Sequence, residues 1–360
     1  MKSELKLKEL TFEITKKCPM QCLLCSSNGG MSDTKEFTFN EIKNIIDTSV
    51  QLGTKHINLS GGEPLIHPHI LDICSYIKEK GLTIDVYTCG NVGDLDGNNK
   101  SIDNKLLVSL KKIGMESLIF SIHGDTAETH EAVTTRKGSF DNLIQSIKQS
   151  IKTGLFTELH FVPTKINYHS LPKVMELVQK LQVKRLSVLR FVPQGRGLIN
   201  RNLLEIKFDE ITELKNILQE IRDKYPSDKF RTGAPFNCFQ LSNQTFCNAG
   251  IDKATIKPNG FVVPCVSMKD FIIDVEDNNI WTRSLSDIWK DSTLFNISRK
   301  SLQIIEQESV CNNCEQFSRC KGGCLTQRLL NNKLEDKDPY CSKFFSSEKE
   351  LEIHLMNYNQ

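Results

Sequence analysis

The chain has 360 residues, enough for two ordinary domains or for one barrel with an extension. Apolar residues make up 39% and charged residues 25%, which supports a sizeable core and argues against global disorder. Lys and Arg number 46 against 44 Asp and Glu, a net charge of +2 that carries no electrostatic footprint for nucleic acid or anionic lipid.

The N-terminal stretch MKSELKLKEL lacks the apolar segment of a signal peptide, and no apolar run approaches the roughly 18 residues of a membrane helix. The expectation is a soluble cytoplasmic protein with no membrane and no nucleic-acid partner. Through residue 225, short β-rich runs alternate with amphipathic helical runs. Strands are predicted over 10–15, 56–60, 83–88, 117–123, 158–164 and 185–192. Helices are predicted near 40–52, 69–80, 103–112, 139–152, 170–181 and 209–224. Gly53, Gly81, Gly114 and Gly154 fall where a helix closes before the next strand, a position that favours positive φ. Repeated βα units imply a parallel sheet with helices outside it. Six units are too few for a closed eight-stranded barrel, so the expected fold class is α/β, a partial (β/α)6 TIM-like barrel over 1–225.

From about residue 226 Pro, Asn, Gly and Cys become frequent and the alternation stops. TIKPNGFVVPC at 255–265 reads as a hairpin turning at Pro-Asn-Gly. SLSDIW at 284–289 reads as a short capped helix. Residues 226–360 are expected to form a cysteine-rich extension with a C-terminal helix.

Thirteen cysteines, five before residue 226 and eight after it, carry the chemistry. With no export signal the thiols stay reduced, so metal or cluster ligation is the default rather than disulfides. Cys18, Cys22 and Cys25 form a CxxxCxxC run directly after the first strand. Three thiolates this close suit a [4Fe–4S] cluster with one iron left open; a zinc site completed by a distant ligand is the alternative. In parallel βα folds, sites collect at the carboxyl ends of strands. The second strand ends in Ser60-Gly61-Gly62-Glu63-Pro64, whose glycines let backbone approach a ligand and whose carboxylate can accept from an amine. Thr88-Cys89-Gly90-Asn91 and His123-Gly124 follow the third and fourth strands.

CxxxCxxC after strand one and GGEP after strand two resemble the radical S-adenosylmethionine (radical SAM) superfamily, over about residues 8–225. The resemblance implies that Cys18, Cys22 and Cys25 hold a [4Fe–4S] cluster whose fourth iron is chelated by the methionine part of SAM. It implies that Gly61, Gly62 and Glu63 hold the SAM amino group, that Thr88 and Ser121 meet ribose or carboxylate, and that Arg136 meets the carboxylate. Cys89 stands where the family often has asparagine. Residues 189–191 are read either as adenine neighbours or as strand core.

Cys247, Gly260 and Cys265 are followed by Cys311-x2-Cys314-x5-Cys320-x3-Cys324 and then Cys341. This spacing resembles the SPASM extension of radical SAM enzymes, over about 236–345. The resemblance implies two auxiliary [4Fe–4S] clusters, Cys247, Cys265 and Cys324 binding the first and Cys311, Cys314, Cys320 and Cys341 the second. Cys238 is the nearest unassigned thiol for the vacancy on the first, with a small buried hydrophobe as the alternative. A zinc ribbon would account for CxxC at 311–314 but not for Gly260, the later spacings or Cys341. Cys74, beside Ile70 and Ile77, reads as core.

The resemblance further implies reductive cleavage of SAM to a 5′-deoxyadenosyl radical, hydrogen abstraction from a C–H bond, and a flavodoxin or ferredoxin-type electron donor. SPASM enzymes commonly modify ribosomally made peptides, so the leading expectation is a maturase of a peptide precursor. A dehydrogenase or epimerase of a sugar or aminoglycoside is the alternative, and a non-catalytic iron–sulfur carrier the third. Val266 follows Cys265 where sulfatase-maturing relatives carry an acidic residue, which argues against formylglycine formation. Seventeen residues precede Cys18, so recognition of a leader peptide is expected elsewhere or on a partner. His123, His130, Arg190 and Arg196 are candidates for a substrate cavity or for solvated loops.

Overall fold

The computed structural model describes residues 5–30, 36–93, 98–239, 247–271, 274–330 and 334–341. Among them are strands β1 (Glu9–Thr15), β2 (His56–Gly61), β3 (Thr83–Thr88), β4 (Asn91–Gly93), β5 (Asn99–Ser101), β6 (Ser117–Ile122), β7 (Phe156–Phe161), β8 (Arg185–Val188), β9 (Phe230–Thr232), β10 (Lys253–Ile256) and β11 (Val262–Val263). One sheet of nine runs β11-β10-β1-β2-β3-β6-β7-β8-β9, while β4 and β5 pair by themselves. Every pairing from β10 through to β8 is parallel, and β11 returns antiparallel to β10.

Parallel neighbours need crossovers, and helices supply them. The crossovers carry α1 (Phe39–Gln51), α2 (Ile70–Glu79), α3 (Asn104–Ile113), α4 (Ala127–Thr134), α5 (Ser139–Lys152) and α6 (Leu171–Lys180). After β8 come α7 (Arg196–Ile199), α8 (Arg201–Leu204) and α9 (Phe208–Lys224). Local sequence explains their limits. Thr38 and Glu41 make a capping box at the start of α1, and the helix buries Ile42, Ile45, Ile46 and Ser49 on one face. Gly53, Gly81, Gly114 and Gly154 all take positive φ, at 98°, 74°, 93° and 76°. The six expected strands are all present as β1, β2, β3, β6, β7 and β8, making the partial (β/α)6 barrel. Strand β7 stops at Phe161, short of the expected 164, because Pro163 has no N–H to offer a ladder.

The strands alternate rather than reading as continuous apolar runs, so one face of the sheet is polar. Leu10, Phe12 and Ile14 of β1 and Ile57 and Leu59 of β2 are fully buried, on the helix side. The inner face carries Glu9, Glu13, Asn58, Asp85, Glu158, His160, Arg185 and Ser187. Asn58 donates to Glu9 at 2.9 Å, and His56 pairs with Asp85 at 3.4 Å. Glu158 accepts from His160 (3.1 Å), Arg185 (2.5 Å) and Arg231 (2.9 Å). Burial would raise the Glu158 carboxyl, but these partners hold it far below the usual carboxylate range.

Residues 255–265 form the expected hairpin, with Gly260 at φ 81°. β10 pairs with β1, as Glu9↔Lys253 through Phe12↔Ile256, and so extends the barrel sheet. Residues 248–297 accordingly belong with the barrel in one of two compact units. One comprises Met1–Arg231 and Asn248–Ile297, the other Thr232–Cys247 and Ser298–Gln360. The cause is backbone pairing: an open barrel leaves a sheet edge at β1, and β10 covers it. SLSDIW is the helix α10 (Leu285–Asp291), capped by the Ser284 hydroxyl accepting from the Asp287 N–H at 3.1 Å. The remaining helices are α11 (Thr293–Gln307), α12 (Phe317–Cys320) and α13 (Leu325–Leu330). The expected C-terminal helix lies outside the described residues. No helix among the described residues is long and apolar enough to cross a membrane.

Candidate functional site

Chain order carries β1 straight into the cysteine loop at its carboxyl end. The loop is held by its backbone: Cys18 N–H donates to Gly30 O (3.1 Å), Gly30 N–H to Lys16 O (3.0 Å) and Cys25 N–H to Cys22 O (3.2 Å). Later segments hold it from outside. Leu23 N–H donates to Val133 O at 2.8 Å, and the Thr135 hydroxyl to Gln21 O at 3.1 Å. Arg196 donates through its side chain to Cys22 O (3.0 Å) and Gly29 O (2.6 Å), and through its N–H to Cys25 O (3.0 Å). Asn200 donates to Leu23 O at 3.1 Å. Arg196, half-buried, is thus a clamp on the cysteine loop. Asn200 carried no sequence signal, since its partner is a backbone carbonyl 177 positions away.

The two glycines after β2 meet the same loop. Gly62 N–H donates to Thr15 O (2.7 Å) and Glu63 N–H to Lys17 O (2.8 Å). A Cβ on Gly61 would lie 2.3 Å from Thr15 O, and one on Gly62 2.1 Å from Lys17 O. Their small size therefore serves close approach to backbone as well as any approach to a ligand. Glu63 is fully buried and accepts from Thr88 Oγ1 (2.9 Å), Cys89 N–H (2.8 Å) and Leu65 N–H (3.1 Å). Burial pushes its carboxyl up against the pull of those donors. Thr88, expected at ribose or carboxylate, donates to Glu63 and accepts from Gly90 N–H at 3.0 Å. Arg136, expected at the carboxylate, donates to Pro19 O at 3.1 Å. Ser121 is half-buried on β6, on the inner face.

Cys89 belongs to this neighbourhood. A hydrogen bond with Cys18, then burial, then the charge of Glu63 drive its thiol up. Cys22 is pushed up by burial first and then by Cys18 and Cys25. Thiols set this close, as Cys18, Cys22 and Cys25 are, become thiolates when a cationic iron–sulfur core takes them as ligands. A buried carboxyl raised by burial likewise gains from an ammonium partner. The residues present therefore fit a cluster and the amino group of SAM. Among the described residues no three His, Cys, Asp or Glu converge as a single-ion site requires.

His123 and His130 are buried, not solvated, and stack at 5.4 Å; His123 N–H donates to His130 Nδ1 at 3.1 Å. Burial pushes His123 down to about 4 and His130 to about 2, so both are neutral in the folded chain. Unfolding lets them bind protons below their ordinary pKa of about 6.5, so they lower stability as pH falls from about 6.5 toward 4. In the metal-free chain the unfolding midpoint should fall over that window, and the slope should be shallower in His123→Asn. Arg190 is also buried.

In the second unit, Cys314 N–H donates to Cys311 O at 3.0 Å and Cys341 N–H to Asp338 O at 2.8 Å. Burial, then the charges of Asp338, Cys341 and Cys311, push the Cys320 thiol up to about 12. Arg328, buried on α13, donates to Cys311 Sγ at 2.7 Å. A lone Arg in TQRLL gave no hint of this contact. Asp338 also accepts from Cys324 N–H at 2.7 Å. Cys238 lies buried on the 3-10 helix Ala234–Phe239, its thiol 3.5 Å from Pro235 O, and Phe239 stacks on Tyr340 at 5.6 Å. Cys247 is half-buried in this unit. In the first unit, Cys265 Sγ accepts from Ser267 N–H at 3.5 Å. Cys74 is fully buried on α2 and raised by burial to about 12, as a core thiol is.

A parallel α/β partial barrel with a three-cysteine loop at the end of its first strand and a cysteine-rich second unit defines an iron–sulfur enzyme class. Residues 12–178 match the Radical SAM superfamily and residues 247–315 the SPASM iron–sulfur cluster-binding domain; the chain is a radical SAM enzyme with a SPASM segment. These families imply iron–sulfur clusters and SAM binding. The PqqA peptide cyclase of Gluconobacter oxydans is 26% identical over 346 residues, covering 92% of this chain and 90% of the relative. The mycofactocin maturase MftC of Mycobacterium tuberculosis is 25% identical over 337 residues, covering 92% and 82%. Streptococcus suis SuiB bound to its precursor peptide SuiA shares the fold at a TM-score of 0.73 and 18% identity, covering 94% of this chain and 76% of that one.

Proposed function

We propose that the chain is a maturase of a ribosomally made precursor peptide, installing a crosslink or another C–H-derived modification. The observation that carries this is similarity over 92% of the chain to enzymes named for peptide cyclisation and maturation. Cys18, Cys22 and Cys25 hold the SAM cluster, which when bound supplies the electron that cleaves SAM to methionine and a 5′-deoxyadenosyl radical. Glu63, with the backbone of Gly61 and Gly62, takes the SAM ammonium; Thr88 and Ser121 meet its ribose or carboxylate, and Arg136 pairs with the carboxylate. The polar inner face of the sheet orients the peptide and keeps stray hydrogen donors away from the radical.

By the SPASM resemblance the chain takes two auxiliary [4Fe–4S] clusters, Cys247, Cys265 and Cys324 with Cys238 as the fourth ligand on the first and Cys311, Cys314, Cys320 and Cys341 on the second. The division at 225/226 is then one of cofactor, SAM before it and auxiliary clusters after it. A flavodoxin or ferredoxin-type protein supplies the electron. The anaerobically reconstituted chain should carry about twelve irons as three four-iron clusters; about four irons with zinc would contradict the auxiliary set. Incubation with SAM, dithionite and a short peptide encoded beside the gene should yield 5′-deoxyadenosine and a peptide of altered mass. A sugar altered in its place would favour the small-molecule reading.

Cys238→Ala tests the fourth ligand of the first auxiliary cluster. SAM cleavage should survive while peptide turnover is lost and the cluster becomes more labile, because ligand charge and exposure set its potential. Wild-type turnover with an unchanged electron paramagnetic resonance spectrum would make Cys238 a packing residue.

A further inference from the structure

The first unit holds a buried ion pair beside its cysteine loop. Glu13 and Lys269 are 1% and 4% exposed, and Lys269 Nζ pairs with Glu13 Oε1. The same ammonium donates to Ser26 Oγ at 3.1 Å and Ser27 Oγ at 2.7 Å, and Ser27 Oγ donates to Glu13 Oε1 at 2.7 Å. Ser26 and Ser27 directly follow Cys25, and Lys269 stands four residues after Cys265. The neighbouring Asp270 makes a second tie: its N–H donates to Gln194 Oε1 (2.7 Å), and its Oδ2 accepts from Gly195 N–H (2.6 Å). Gly195 leads into Arg196, which clamps Cys22 and Cys25. The segment after Cys265 therefore grips the cysteine loop directly through Lys269 and indirectly through the Gly195–Arg196 clamp. Glu13 Oε2 is buried with no partner, and Lys269 is the cation paired with this carboxylate.

We infer that Lys269 is a positioning residue that ties the Cys265 segment to the SAM-cluster loop and neutralises Glu13 beside it, thereby setting the potential at which that cluster accepts its electron. The inference rests on the assignment of Cys18, Cys22 and Cys25 as cluster ligands. A buried carboxylate left without its cation is strongly unfavourable, and added negative charge beside a cluster disfavours its reduction. Removing both charges restores neutrality. Arginine in place of lysine keeps the charge and the donors.

The test is a redox titration of the reconstituted holoenzyme followed by electron paramagnetic resonance, reading the signal that changes when SAM is added. Lys269→Met should shift the midpoint of that signal to more negative potential and slow 5′-deoxyadenosine formation. Glu13→Gln combined with Lys269→Met should return the midpoint toward wild type, and Lys269→Arg should hardly move it. A midpoint unmoved in Lys269→Met, or a double variant that stays with the single one or fails to load the cluster, would overturn the role of Lys269. Absence of the SAM-responsive signal from the wild-type protein would instead remove the cluster assignment on which it rests.

Discussion

Cys22→Ala is expected to reduce SAM cleavage to background while leaving the cysteine-rich second unit able to load iron. The loop offers three thiols and no more, and Cys22 sits at its centre. Its neighbours Cys18 and Cys25 both act on its ionisation, and Arg196 holds its carbonyl at 3.0 Å. A four-iron cluster that loses one of three ligands has no nearby replacement in the loop, whereas Cys311, Cys314, Cys320 and Cys341 lie in a separate compact unit. The measurement is 5′-deoxyadenosine formed from SAM and dithionite, with iron content read in parallel. Continued cleavage would mean that the three cysteines do not carry the cluster. Cys89, in contact with Cys18, is the thiol to remove next in that event.

Gly62→Ala should cost the fold as well as the activity. The added Cβ would lie 2.1 Å from Lys17 O, 2.6 Å from Lys17 C and 2.6 Å from Lys16 O, all backbone atoms that cannot rotate aside. Relief requires the β2 end and the cysteine loop to separate, which strains the 2.7 Å and 2.8 Å bonds from Gly62 and Glu63. Overpacking of this kind costs about 1–3 kcal/mol, and each kcal/mol lowers the melting temperature of a chain this size by about 1–2 °C. The variant should melt several degrees lower and hold less iron at the SAM cluster. Gly30→Ala is the control, since a Cβ there meets nothing within 4 Å. Equal melting of wild type and Gly62→Ala would show that the glycine serves only a ligand.

The sequence alone determined the six βα units, the glycine helix stops and the cysteine spacing. Those signals are local: a period of 2 or 3.6, a capping residue, or ligands a few residues apart on one loop. The tertiary structure decided where β10 goes, because pairing at the open edge beside β1 depends on which strand lacks a neighbour, not on any residue in 253–256. It also joined Thr88 to Glu63, Arg136 to Pro19 and Arg196 to the cysteine loop. These side chains satisfy backbone and carboxyl groups brought close only by folding, and a linear pattern does not show which polar groups become buried together. Lys269 and Arg328 are the sharpest cases, since each is an ordinary basic residue in sequence. Burial beside a carboxylate or a thiol makes its charge matter.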